Sequence, residues 1–349
     1  MITRNSLAKQ WLDTVMESYK RNDPGIVEKS IMALTLLEQL SVEGLDFIFK
    51  GGTSLMLLLG NFNRFSLDID ILLPYKPENL EDIFNKICSK GVFKNCSEDK
   101  RKATSNVPKV HYSFAWDSII DGTERTVLLD ILFQETGNRE LLKIPIKHRV
   151  IETVPPEVPV KVQSVDALLG DKLTAFAPNT TGIPYDVEKD IEIIKQLFDL
   201  GILFDNLDNL NSVHTSFTQN CLQELSYRQL RLSEEEVLND CFDTALTLVY
   251  RGAYKAENFS RLMTGIRGFR NFVFNSSYSQ EDAIRSAAKV MYLVQAILSG
   301  KDKCEKFETP EDVRELIITD PKWSKLNKIK KTDPEAFFYL FSAVKLLGG

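Results

Sequence analysis

Two short stretches hold residue types that can do chemistry: Lys50-Gly51-Gly52-Thr53-Ser54, and Arg64-Phe65-Ser66-Leu67-Asp68-Ile69-Asp70-Ile71. The apolar run Phe47-Ile48-Phe49 leads into the first. A strand, two glycines, two hydroxyls and a helix start, in that order, make a phosphate cradle. Glycine lets backbone approach a ligand closely, and a helix N-terminus offers unspent N–H groups. In the second stretch the carboxylates of Asp68 and Asp70 stand two residues apart, and residues two apart on a strand share a face. Like charges that close repel unless a cation sits between them. Leu67, Ile69 and Ile71 then point the opposite way, into a core. A third carboxylate, Asp130, interrupts the apolar runs Val127-Leu128-Leu129 and Ile131-Leu132-Phe133. An unpaired acid is costly there, so Asp130 is expected to meet a cation or hydrogen-bond donors.

The elements that must position these groups follow from periodicity. The first 45 residues read as helix, with Leu7, Trp11, Val15 and Met16, then Met32, Leu36, Leu37 and Leu40, at helical spacing. Phe47–Phe49 reads as a buried strand, 53–59 as a compact helix ended by Gly60-Asn61-Phe62-Asn63, and 67–73 as a two-faced strand. A helix over 78–90 precedes strands over 111–116 and 126–133, joined through Asp121-Gly122. Prolines 155, 156 and 159 break the chain before a helix over 165–176, which Ser164 would cap. Its Lys172 falls in the stripe of Leu168 and Phe176, so the ammonium either snorkels or aims into a site. From Asp186 onward the pattern is helical, with segments near 187–199, 217–229, 233–250, 255–273, 279–299, 309–317 and 334–347. Asp190 shares a face there with Ile194 and Leu197. The expected organisation is α+β: a domain over 1–185 with a small mixed sheet, then an all-helical domain over 186–349.

Composition narrows the classes. A chain of 349 residues with 43% hydrophobic residues and 21 Phe supports two folded domains and excludes a disordered or fibrous chain. No apolar run approaches the roughly 20 residues of a membrane span, and no apolar stretch follows the N-terminus as in a signal peptide. Five scattered Cys without a C-x-x-C pair argue against a disulfide framework and suit a reducing cytoplasm. Three dispersed His leave only carboxylates to hold a metal, which points to magnesium or manganese. A net charge of −6 excludes a globally basic nucleic-acid binder, so any such contact must be a local patch. Candidates are Lys100-Arg101-Lys102 with Lys109, or Lys322, Lys325, Lys328, Lys330 and Lys331. Tyr112 and Trp323 lie near them for stacking on bases.

K-G-G-T-S followed by R-F-S-x-D-I-D resembles the AbiEii/AbiGii toxin family, including the MenT-type toxins. These are nucleotidyltransferase-fold proteins of bacterial toxin–antitoxin and phage-abortive systems. The resemblance covers roughly residues 45–200 and extends to Lys172 in Leu168-Leu169-Gly170-Asp171-Lys172-Leu173 and to Asp190 in Lys189-Asp190-Ile191. It implies an enzyme in which an acceptor oxygen attacks the α-phosphate of a nucleoside triphosphate and pyrophosphate leaves in line. Asp68 and Asp70 would hold magnesium or manganese, with Asp130 completing the set and receiving the proton. Ser54, Thr53 and the Gly51-Gly52 backbone would hold the β- and γ-phosphates, and Arg64 would support either those phosphates or the Asp strand. Lys172 would neutralise developing phosphate charge, and Asp190 would complete the catalytic set. The implied acceptor is the 3′ end of tRNA, and the implied partner a cognate antitoxin. Transfer to a protein hydroxyl or a small molecule is the alternative within enzymes. A non-catalytic partner-binding module is the alternative outside them, and the intact Ser54, Asp68, Asp70, Asp130 and Lys172 speak against it.

Overall fold

In the computed structural model of the chain, the described residues are 1–19, 23–60, 62–99, 107–135, 140–274 and 277–348. The Lys100-Arg101-Lys102 run therefore lies outside them. The chain forms two compact units, Met1–Ser164 with Asn271–Ser277, and Val165–Arg270 with Tyr278–Gly349. The expected boundary was 185. The helix over 165–176 packs on the helices that follow it, so it belongs to the second unit.

The first unit runs α1 (Lys9–Ser18), α2 (Pro24–Val42), β1 (Ile48–Lys50), α3 (Gly51–Leu58), β2 (Ile69–Leu73), α4 (Leu80–Ser89), β3 (Asn95–Glu98), β4 (Lys109–Asp117), β5 (Glu124–Phe133), β6 (Leu141–Pro145) and β7 (Pro159–Gln163). The strands form one mixed sheet in the order β3-β4-β5-β2-β1-β7-β6. The β2–β5 and β1–β7 pairs are parallel and the others antiparallel. Alternation sets its apolar side: Phe49, Ile69, Ile71, Leu129, Ile131 and Phe114 are fully buried, as the period of two requires. The expected hairpin is present as β4 and β5.

Helix α2 shows how a buried charge can fasten the sheet. Asp23 caps it through a bond from Gly25 N, and Pro24 opens it. Glu28 is almost wholly buried, yet it accepts from Ser118 Oγ and Ile119 N, each at 2.7 Å, and pairs with Arg125 at 3.3 Å. The β4–β5 turn is thereby tied to the helix, and the carboxylate is satisfied.

Phe272 and Phe274 seat the arm that leads into β2. Phe65 N donates to Phe272 O at 2.7 Å and Phe274 N to Asn63 O at 2.8 Å. Phe274 meets Phe65 edge-on at 4.1 Å, stacks on Tyr19 at 4.9 Å and lies under the Arg149 guanidinium at 4.6 Å. His148 borders the same cluster.

The second unit comprises α5 (Val165–Ala175), α6 (Asp190–Asp205), α7 (Leu210–Arg228), α8 (Glu234–Val249), α9 (Ala256–Phe269), α10 (Gln280–Leu298) and α11 (Pro334–Leu346). Helix α10 is its axis: it is buried from Ala283 to Ile297 except for Arg285 and Ser286, and packs on α6, α8 and α11. The helix expected over 309–317 shrinks to a 3-10 turn at Pro310–Val313. No helix among the described residues is long and apolar enough to cross a membrane.

Burial, with the Arg149 charge beside it, holds the His148 imidazole down to about 4 from its ordinary 6.5. Its Nδ1 accepts from Val150 N, as a neutral ring can. The folded pKa is depressed, so this contribution is complete above pH 6.5 and is lost as pH falls towards 4. Urea denaturation across that window should show a loss on the order of 3 kcal/mol at most in the wild type. His148→Gln should show a shallower slope; an unchanged slope would contradict a neutral buried ring.

Candidate active site

The site begins where β1 ends. Lys50 closes the strand and precedes α3 without any side-chain cap, so the first-turn N–H groups of α3 are not spent on one. Gly51 has φ +76°, in the left-handed region, and a Cβ on it would collide with the Asp70 carboxylate. Both facts require glycine. A Cβ on Gly52 would likewise press into the Arg64 guanidinium.

The hydroxyls behave differently from expectation. Thr53 Oγ1 donates to Asp68 O at 2.6 Å, Ser54 Oγ donates to Gly51 O at 2.8 Å, and both residues are fully buried. Thr53 thereby ties the turn to the aspartate arm, and Ser54 closes the turn on itself. Arg64 is also buried: it donates to Phe65 O at 3.0 Å, lies over the Phe62 ring at 5.2 Å and braces the arm from beneath Gly52.

Register then aligns a polar row across the sheet. Lys50 pairs with Asp70, Asp70 with Asp130, and Asp130 with His111. Gln163 stands one residue beyond the Phe49–Val162 pair at the same level. Paired residues share a face, so five strands contribute to one row. Asp68 sits just before β2, half-exposed, with Lys29 Nζ 3.3 Å from its Oδ1. Asp130 Oδ2 meets Lys109 Nζ at 2.6 Å and its Oδ1 meets His111 Nδ1 at 2.6 Å. Lys29, Lys109, His111 and Gln163 lack a motif of their own. Gln163 is fully buried, and neither amide atom has a hydrogen-bond partner among the described residues, a costly arrangement.

Charge is unequal along the row. Burial pushes the Asp70 carboxyl above the ordinary carboxylate range; Lys109 and Lys50 pull it back, while Asp130 and Asp68 add to the rise. Burial acts on Asp130 in the same direction, but Lys109 and His111 outweigh it, and that carboxyl ends below its ordinary range. For a divalent cation, Asp68 and Asp70 fit: Asp68 Oδ1 is buried without a hydrogen bond, and no hydrogen bond from the described residues reaches the half-buried Asp70 carboxylate. Asp130 differs, because both its oxygens are engaged. Among the described residues no three His, Cys, Asp or Glu stand together as a ready metal cage.

Lys172 and Asp190 lie in the second unit, each with a partner there. Lys172 Nζ meets Asp199 Oδ2 at 2.7 Å and donates to Gln196 Oε1 at 2.9 Å. The Asp199 side chain is 0% exposed, so the ammonium offsets a buried charge rather than snorkelling to solvent. Asp190, in the first turn of α6, meets Arg261 Nε at 3.3 Å. Tyr112 and Trp323, considered for base stacking, are both core residues.

The Gly-Gly turn abutting the Asp70 carboxylate of the adjoining antiparallel strand is the candidate active site. The chain belongs to the AbiEii family: the family model "Nucleotidyl transferase AbiEii toxin, Type IV TA system" matches residues 35–267. Among solved structures the chain is similar to JHP933 from Helicobacter pylori, with 14% identity over 83% of this chain and 93% of that one and a TM-score of 0.44. It is also similar to MenT4, a nucleotidyltransferase toxin from Mycobacterium tuberculosis H37Rv, with 15% identity over 85% and 99% of the chains and a TM-score of 0.43. No curated protein matches the chain.

Two outcomes follow for stability. Because the folded Asp70 pKa is raised, its charged form disfavours folding at neutral pH and the penalty fades as pH falls towards the ordinary 3.8. Asp70→Asn should therefore melt a few degrees higher than wild type at pH 7, with the gap closing in acid; a lower melting temperature at pH 7 would mean that this acid holds the fold. Lys172→Met should strand Asp199 and cost about 3–5 kcal/mol in urea denaturation, with Lys172→Met/Asp199→Leu recovering most of it.

Proposed function

We propose that this chain transfers a nucleotide from a nucleoside triphosphate to the 3′ end of tRNA in a reaction dependent on magnesium or manganese, and that it is paired with an antitoxin. The observation that carries the reading is the contact of Gly51 with Asp70, which sets the α3 N-terminus against the aspartate arm. There the backbone N–H groups of the turn would bind phosphate oxygens. Asp68 and Asp70 would hold the cation, and a cation bound there supplies charge neutralisation at the α-phosphate and leaving pyrophosphate. Lys50, register partner of Asp70, would face the same phosphates. Asp130, kept ionised, completes the row as the residue to receive the acceptor's proton. Lys172 and Asp190 keep their proposed catalytic roles, Lys172 with its charge already shared with Asp199. The tRNA acceptor and the antitoxin rest on the family resemblance, and exposed Lys325, Lys328 and Lys331 supply a local basic surface for the acceptor.

Incubation with each labelled triphosphate, total RNA and protein extract tests this directly. Label should enter the tRNA band with magnesium or manganese and vanish in chelator, and Asp68→Ala should lower incorporation roughly 100-fold or more. Label in a protein band instead would overturn the tRNA acceptor, and equal labelling in chelator would overturn the metal.

A further inference from the structure

Resting on the cation assigned above to Asp68 and Asp70, we propose that Lys109 is a built-in second cation, so that each chain binds one divalent ion where a two-metal site would hold two. The case is first one of occupancy. Asp130 spends Oδ2 on Lys109 and Oδ1 on His111, both at 2.6 Å. Lys109 and His111 are two apart on β4 and share a face, so they grip the carboxylate from one strand. Asp68 is held more loosely: its buried Oδ1 has no hydrogen bond and only the Lys29 ammonium at 3.3 Å, on a side chain that is 46% exposed.

Position and charge agree. Asp70 and Asp130 are register partners on neighbouring parallel strands, which lie about 4.8 Å apart. Two-metal sites set their ions about 3.5–4 Å apart. A second ion between Asp70 and Asp130 would have to take the place of the Lys109 ammonium, which is also the largest opposing charge acting on Asp70. Displaced, that ammonium would lose its carboxylate and stand beside a divalent ion, like charge against like. Three carboxylates (Asp68, Asp70, Asp130) already meet three lysines (Lys29, Lys50, Lys109) at this face. A single divalent ion added at Asp68 and Asp70 therefore turns a balanced face net positive towards a triphosphate.

Counting Mn2+ per chain by electron paramagnetic resonance tests this on the full-length protein, alone and with each of the four non-hydrolysable α,β-methylene triphosphates. Wild type and Lys109→Arg should bind one Mn2+, and Lys109→Met should gain a second, spin-coupled to the first. Two coupled ions in wild type would overturn the proposal and leave the metal-dependent reading standing, whatever the fold of the variants. A folded Lys109→Met that still binds one ion would overturn it equally, with Lys109→Gln repeating the count if Lys109→Met fails to fold. No Mn2+ in wild type under any condition would remove the metal reading itself, and this inference with it.

Discussion

Packing three acids onto one face of a sheet is the constraint that shapes the first unit. Carboxylates at that density cannot be left to repel, and the chain answers with lysines drawn from separate elements. Lys29 comes from α2, Lys50 from the end of β1 and Lys109 from β4. Each needs its element held at a fixed register, because a slip of one residue would turn its side chain to the other face. The apolar face beneath supplies that register through Phe49, Ile69, Ile71, Leu129 and Ile131. Gly51 then allows the turn to close on Asp70, and Thr53 ties the same turn to the Asp68 carbonyl.

The helical unit solves a smaller version of the same problem. Asp199 is sealed within it and survives as an ion pair because α5 brings Lys172 to it. A lysine in an apolar stripe is ambiguous by spacing alone, and the ambiguity ends only when the partner helix is known. Loss of activity on replacing Lys172 would thus mix any chemical role with the uncovering of a buried charge.

What was legible in the sequence follows a physical line. The α+β class, the β4–β5 hairpin, and Asp68 and Asp70 beside the Gly-Gly turn were readable because local spacing determines them. Lys29, Lys109, His111 and Gln163 were not: each reaches the row through strand or helix pairing, and their distance along the chain carries no period. Strands β3, β6 and β7 escaped for a related reason, being short, partly polar or opened by proline, and defined mainly by their neighbours. Thr53 and Ser54 were read as phosphate contacts and Arg64 as a support of either the phosphates or the Asp strand; spacing could not show that all three side chains are buried. The helix expected over 309–317 forms only a 3-10 turn at Pro310–Val313.

The aromatic seat of the Asn63–Phe65 arm lies at Phe272 and Phe274, far downstream of the strands it steadies. Synthesis therefore has an order built into it. A ribosome moving at about 5–20 residues per second needs roughly seven to thirty seconds to travel from Asp130 to Phe274. Through that interval the growing polypeptide already carries Asp68, Asp70 and Asp130, while the clamp on the arm that leads to them has yet to be made. For a protein of a toxin family, this delays completion of the arm until most of the helical unit has left the ribosome.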